Sequence, residues 1–114
     1  MAVKKITASE SYQTLFTVPK HEVGKISSVV VTNKTPTSVP VMVIIEDFFT
    51  PDASVGVTSP TATSQEVCRL VVGAGLTGSL GEQELKDIRC FGTVKAICDG
   101  TQSACYIDTY YNCE

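Results

Sequence analysis

Five cysteines, at positions 68, 90, 98, 105 and 113, and a single histidine, His21, are the side chains of this 114-residue chain with ligand or nucleophile chemistry to offer. Three chemistries are open to them: a metal centre, a thiol activated by an imidazole, or disulfides. A metal centre needs its ligands together. Cys90, Cys98, Cys105 and Cys113 are separated by seven, six and seven residues, not in the close pairs of zinc knuckles and ribbons. Positions eight apart on an extended strand lie roughly 26 Å from each other at ~3.3 Å per residue, so one ion cannot bind all four. His21 falls in the polar segment 19–25, read as an exposed turn between two strands, and no serine or cysteine has an imidazole base in its sequence context. No catalytic residue and no metal ligand is assigned.

Disulfides remain. If Cys98 faces Cys105 across an antiparallel hairpin, the same register sets Cys90 against Cys113, Lys95 against Asp108 as an opposite-charge pair, and Gly92 under the ring of Tyr111. Hydrogen-bonded and non-hydrogen-bonded positions alternate along a strand, and 90 and 98 fall in the same class, so both pairs form or neither does. The alternative is packed free thiols, and Cys68 is expected to be a buried free thiol.

One further motif carries chemistry. Gly73-Ala74-Gly75-Leu76-Thr77-Gly78 has the G-x-G-x-x-G form and follows a strand-like run, but a dinucleotide site needs a helix whose N-terminal amides meet the pyrophosphate. Gly78, Ser79 and Gly81 break that helix, so the segment is read as glycine-rich turns flanking a short strand. No cofactor is expected.

The elements that must position these residues are strands. Short β-type runs occupy roughly 12–18, 26–33, 39–49, 66–72, 88–98 and 104–113, separated by Gly, Pro, Asn and Asp. The helical candidate, 82–87, is little more than a turn. This spacing predicts an all-β chain: one antiparallel β-sandwich, jelly-roll-like, with a C-terminal cysteine-paired hairpin. The domain is 1–114, with 1–9 as an extended arm and 50–64 as a long loop. Parity puts Ile88, Cys90, Gly92, Val94, Ala96 and Cys98 on one face with Cys105, Ile107, Thr109, Tyr111 and Cys113, and that face should point to the core.

Val41, Met42, Val43, Ile44 and Ile45 are apolar on both parities. Either this strand is central and covered on both sides, or another subunit buries its second face. Val41, Val43, Ile44 and Ile45, with Asp52, Val55 and Val57 of the long loop, are therefore the candidate oligomer or partner contacts. Charge excludes one partner class. The net charge is −3, the arginines are Arg69 and Arg89, and the lysines form no stripe, so no footprint for nucleic acid is present. No run approaches a membrane span, and the polar run 7–14 replaces the apolar region of a secretory leader.

Leu15-Phe16-Thr17-Val18-Pro19, a turn, and then 25–33 ending in Val31-Thr32-Asn33 resemble the opening of small β-sandwich proteins of tailed bacteriophages; 69–75 and 92–96 resemble their second half. The resemblance implies a non-enzymatic virion protein, made in the host cytoplasm: a head decoration (cement) protein, or a head-tail or tail accessory protein. Its partner would be the major capsid or another virion protein; the doubly apolar strand 41–45 and the long loop 50–64 add the expectation of a homo-oligomer, most simply a trimer. The alternative is a tail-associated carbohydrate- or receptor-binding module using Tyr106, Tyr110 and Tyr111.

Overall fold

The computed structural model describes residues 2–34, 40–50, 63–85, 88–99 and 102–114. Among the described residues there are eight strands, β1 (Ala2–Ala8), β2 (Gln13–Thr17), β3 (Gly24–Asn33), β4 (Val41–Phe49), β5 (Thr63–Val72), β6 (Thr77–Leu80), β7 (Thr93–Cys98) and β8 (Gln102–Cys113), with a one-turn helix α1 (Glu82–Leu85) before β7. They form two antiparallel four-stranded sheets packed together. Sheet A has the order β1-β8-β3-β6 and sheet B the order β2-β7-β4-β5.

The order has a simple logic. β1 pairs with β8, β2 with β7, β3 with β6 and β4 with β5, which are the rungs of one long antiparallel ribbon doubled back between β4 and β5. Rolling that ribbon brings β8 beside β3 and β7 beside β4. Every connection except β4 to β5 therefore crosses from one sheet to the other.

Alternation along the strands builds the core. Val41, Val43, Ile45 and Asp47 of β4 point inward, as do Ile26, Val29, Val31 and Asn33 of β3, Val94, Ala96 and Cys98 of β7, and Cys105, Ile107 and Thr109 of β8, all buried. Leu85 of α1 plugs the same core, and Glu84 of that turn accepts a hydrogen bond from the Gly81 amide at 2.9 Å.

Three expectations are corrected. Residues 2–8 are not a free arm but the edge strand β1, because Ile6 and Ala8 face the core while Lys4 and Lys5 keep the rest of the strand in water. Thr63 and Ser64 belong to β5 rather than to the preceding loop. The cysteine-paired hairpin does not exist: β7 lies in sheet B between β2 and β4, and β8 lies in sheet A between β1 and β3. Two backbones flanked on both sides have no hydrogen-bonding edge left for each other. Lys95 is opposite Glu46, with its ammonium 5.1 Å from the centre of the Phe48 ring. Asp108 is opposite Lys5, 4.0 Å away, and Tyr111 stacks flat on Phe16 at 4.1 Å instead of covering Gly92.

Within 73–78, Gly75 adopts φ +76 in a turn and β6 begins at Thr77, where a dinucleotide fingerprint would begin its helix. Buried Asn33 holds this turn, its side chain donating to the Val72 carbonyl at 3.1 Å and its backbone bonding Leu76 and Gly75. Among the described residues no helix is long and apolar enough to cross a membrane.

Candidate functional site

The five cysteines are free thiols in the structure. The parity reading holds: Cys90, Cys98 and Cys105 are buried, and Cys113 packs against the core. The predicted pairs Cys90–Cys113 and Cys98–Cys105 do not form, because no two of the cysteines stand at disulfide distance. β7 and β8 form an arch, in which consecutive strands face each other through side chains across the core instead of sharing backbone hydrogen bonds. Cys98 stands close enough to Cys105 for charge on one to disfavour charge on the other. The same is true of Cys113 towards Cys90, both of which flank Gly24: it pairs with Cys113 on one side and bridges to Cys90 on the other. Gly24 has no room for a side chain, since a Cβ there would lie 2.7 Å from the Val18 methyl and 3.3 Å from the Cys90 Cβ.

Burial pushes the Cys68 and Cys90 thiols up from 9.0 to about 12, assisted by the charges of Glu66 and Asp47 respectively, and the Cys105 thiol to about 11. Such thiols are poor nucleophiles at neutral pH. The folded state holds their protons more tightly than the unfolded chain does, so stability is complete below about pH 9 and falls as pH rises towards 12. Urea midpoints measured from pH 7 to 11 should be flat to about pH 8.5 and then decline. Replacing Cys68 and Cys90 with alanine should flatten that decline. Among the described residues no three His, Cys, Asp or Glu side chains are arranged to hold a metal.

The candidate contact strand 41–45 separates into two halves. Val41, Val43 and Ile45 are core residues and cannot contact a partner. Met42 and Ile44 lie half-buried on the outer face of sheet B. The strand is central in its sheet, between β7 and β5, and among the described residues the two sheets are the only layers, with none packed on this face. Register adds neighbours that sequence reasoning missed: Ile44 is opposite Ile97, and Met42 is opposite Val71, which is 65% exposed. Further along β4, Phe48 meets the edge of the Tyr12 ring at 5.1 Å, and Tyr12 donates a hydrogen bond to Glu46. The face is thus a mainly apolar stripe that carries a cation among its side chains: Arg69 stands opposite Ile44, reaches the Met42 sulfur at 4.0 Å and grips Glu66 at 2.5 Å. The signal was present in the parity of 71 and 97 but could not be used without the register. Asp52, Val55 and Val57 lie outside the described residues.

The fully buried carboxylate of Asp47 is the other feature sequence reasoning missed. It accepts hydrogen bonds from the Phe91 amide at 2.8 Å, the Gly92 amide at 3.0 Å and the Gln65 side chain at 3.3 Å. It therefore ties the segment entering β7 to both β4 and β5 and fixes the end of the sandwich. His21 is an exposed turn residue with φ 71. Comparison with protein-family models, curated proteins and solved structures found no match to this chain.

Proposed function

We propose that this chain is a non-enzymatic structural protein of a virion, a decoration protein that attaches to the assembled shell through the outer face of sheet B. The observation that carries this reading is the apolar surface of Met42, Ile44, Val71 and Ile97, displayed on paired strands that cannot collapse to hide it. The strand order adds support: β1-β8-β3-β6 packed on β2-β7-β4-β5 is the order of a jelly roll, an architecture used by viral capsid domains and lectins. That is an argument from fold analogy, and the surface is the argument from chemistry.

The mechanism is mass action. A protein that binds the closed shell and not its dissociated subunits stabilises the shell by its binding free energy. The partner is the major capsid or another virion protein, and the chain acts as a homo-oligomer, most simply a trimer. The tail-associated sugar-binding alternative keeps two of its three rings, since Tyr106 and Tyr110 share the outer parity of β8 while Tyr111 is occupied by Phe16. Purified protein added to shells stripped of it should bind saturably and raise the temperature at which the shells open. Light scattering of the free protein should give the mass of an oligomer. A monomer that leaves shell stability unchanged would contradict the proposal.

A further inference from the structure

Along β8, Cys105, Ile107 and Thr109 are fully buried, so Tyr106, Asp108 and Tyr110 point the other way, onto the outer face of sheet A. β8 is an inner strand there, between β1 and β3, and its backbone is held along both edges. Where sheet B displays aliphatic side chains, this strand sets a carboxylate between two aromatic rings. Register completes the face: Tyr106 stands between Thr7 and Thr32, and Asp108 stands opposite Lys5.

These groups are not used up by the fold. Among the described residues neither Tyr106 nor Tyr110 stacks on another ring. The Asp108 Oδ1 is shut away from water and accepts no hydrogen bond, and the Lys5 ammonium, at 4.0 Å, stands beyond hydrogen-bond reach. Buried acceptors left unsatisfied are few in native proteins, and this one belongs to a side chain that is still 25% exposed and so open to a ligand. Lys5 lies 6.0 Å from the centre of the Tyr106 ring on a side chain 67% exposed, within range of anything seated on that ring.

The ligand chemistry follows from this set. Ring faces take flat C–H surfaces, a carboxylate accepts from hydroxyls, and an ammonium and threonine hydroxyls supply donors. A purely apolar partner would bury the Asp108 and Lys5 charges without new hydrogen bonds. A polyanion would meet Asp108 on a chain whose net charge is already −3. An uncharged sugar offers C–H faces and hydroxyl edges together. Positions 106 and 110 lie roughly 13 Å apart at ~3.3 Å per residue, which suits an oligosaccharide rather than a single sugar.

We propose that the outer face of sheet A is a binding site for an uncharged linear oligosaccharide, with Tyr106 and Tyr110 stacking on sugar rings and Asp108 and Lys5 bonding the hydroxyls between them. This deepens the decoration reading, since a chain attached through sheet B turns sheet A away from the shell, but sugar binding itself does not require that attachment.

The test is titration of the labelled full chain, without shells, with cellohexaose, maltohexaose and N-acetylated chitohexaose in turn, followed by amide chemical shifts. At least one should give a saturable shift confined to residues 3–7, 28–32 and 106–110. Affinity for it should fall at least about tenfold in Y106A/Y110A, through loss of stacking, and about tenfold in Asp108→Asn, through loss of charge-assisted hydrogen bonds. The three side chains lie on an outer face, so both variants should fold; if the double variant does not, Asp108→Asn, which keeps the side chain's size, gives the reading alone. No saturable shift with any of the three sugars, unchanged affinity in the folded variants, or shifts mapping to sheet B would overturn the proposal. Ile44→Asp, on the other sheet, should bind the sugar like wild type whatever it does to shell attachment, so failure of this site and failure of the shell-binding face are told apart.

Discussion

Replacing Asp47 with alanine is expected to destabilise the protein by about 3 kcal/mol or more, because each buried donor left without its acceptor costs ~1–3 kcal/mol. Two such donors are backbone amides, those of Phe91 and Gly92, and neither can turn elsewhere without moving the segment. The third, Gln65, also donates to the Arg89 carbonyl at 3.1 Å and so keeps one partner. With m-values of ~1–3 kcal/mol per molar urea for small proteins, the unfolding midpoint should fall by more than about 1 M. Asp47→Asn retains one carbonyl acceptor and should lose less. Gly92→Ala belongs to the same locus and should be at least as damaging: a Cβ there would lie 2.0 Å from the Phe48 carbonyl oxygen, a backbone atom that cannot swing away. The Gly92 carbonyl also accepts from the Val18 amide at 2.9 Å, so any shift to relieve the clash breaks contacts to β2. A midpoint within about 0.2 M of wild type for either Asp47→Ala or Gly92→Ala would contradict this account of the site.

Why this locus escaped the sequence is instructive. An aspartate between Glu46 and Phe48 at the end of an apolar strand reads as the point where the strand meets water. Its parity, shared with Val41, Val43 and Ile45, says that it faces inward, but parity alone does not say what waits there. The partners come from residues 91 and 92, more than forty positions away. The hairpin expectation failed for a related reason. Parity and spacing fix which side chains of two successive strands can meet, and a hairpin and an arch satisfy them equally well. The two differ by a rotation of the strands that exchanges backbone hydrogen bonds for side-chain contacts across the core. Cys98 and Cys105 were therefore correctly read as inward-facing and wrongly read as a bonded pair within one sheet.

The strands themselves were mostly legible, since β3, β4, β7 and β8 alternate or run apolar over six residues or more. β1 and β6 were not. The Lys4-Lys5 pair blurs the alternation of β1, and β6 is four residues long with a glycine in it. Both lie at the edges of sheet A, where one side of the strand faces solvent and composition is least constrained.

The second large effect separates two adjacent residues of β4. Val43→Asp puts an unpaired carboxylate into a site 1% exposed, which should cost at least ~3 kcal/mol and leave the chain largely unfolded at 37 °C. Ile44→Asp places the same charge one residue along, on the outer face, where it stands opposite Arg69. That variant should stay folded, with a loss of about 1 kcal/mol or less from reduced strand propensity. Thermal melts of the two proteins should therefore differ widely although the substitutions are chemically alike. What Ile44→Asp should lose is association, because the carboxylate, even beside Arg69, must give up its water when the apolar contact closes over it. Val71→Asp, at the exposed margin of the same stripe, should show a weaker version of that loss.

Cosedimentation of wild-type and Ile44→Asp protein with shells lacking the chain tests the central claim most directly. The account predicts saturable binding of the wild type and binding at least about tenfold weaker for the folded variant, the usual size of a centrally placed contact. Equal binding of both, or none by the wild type, would contradict it.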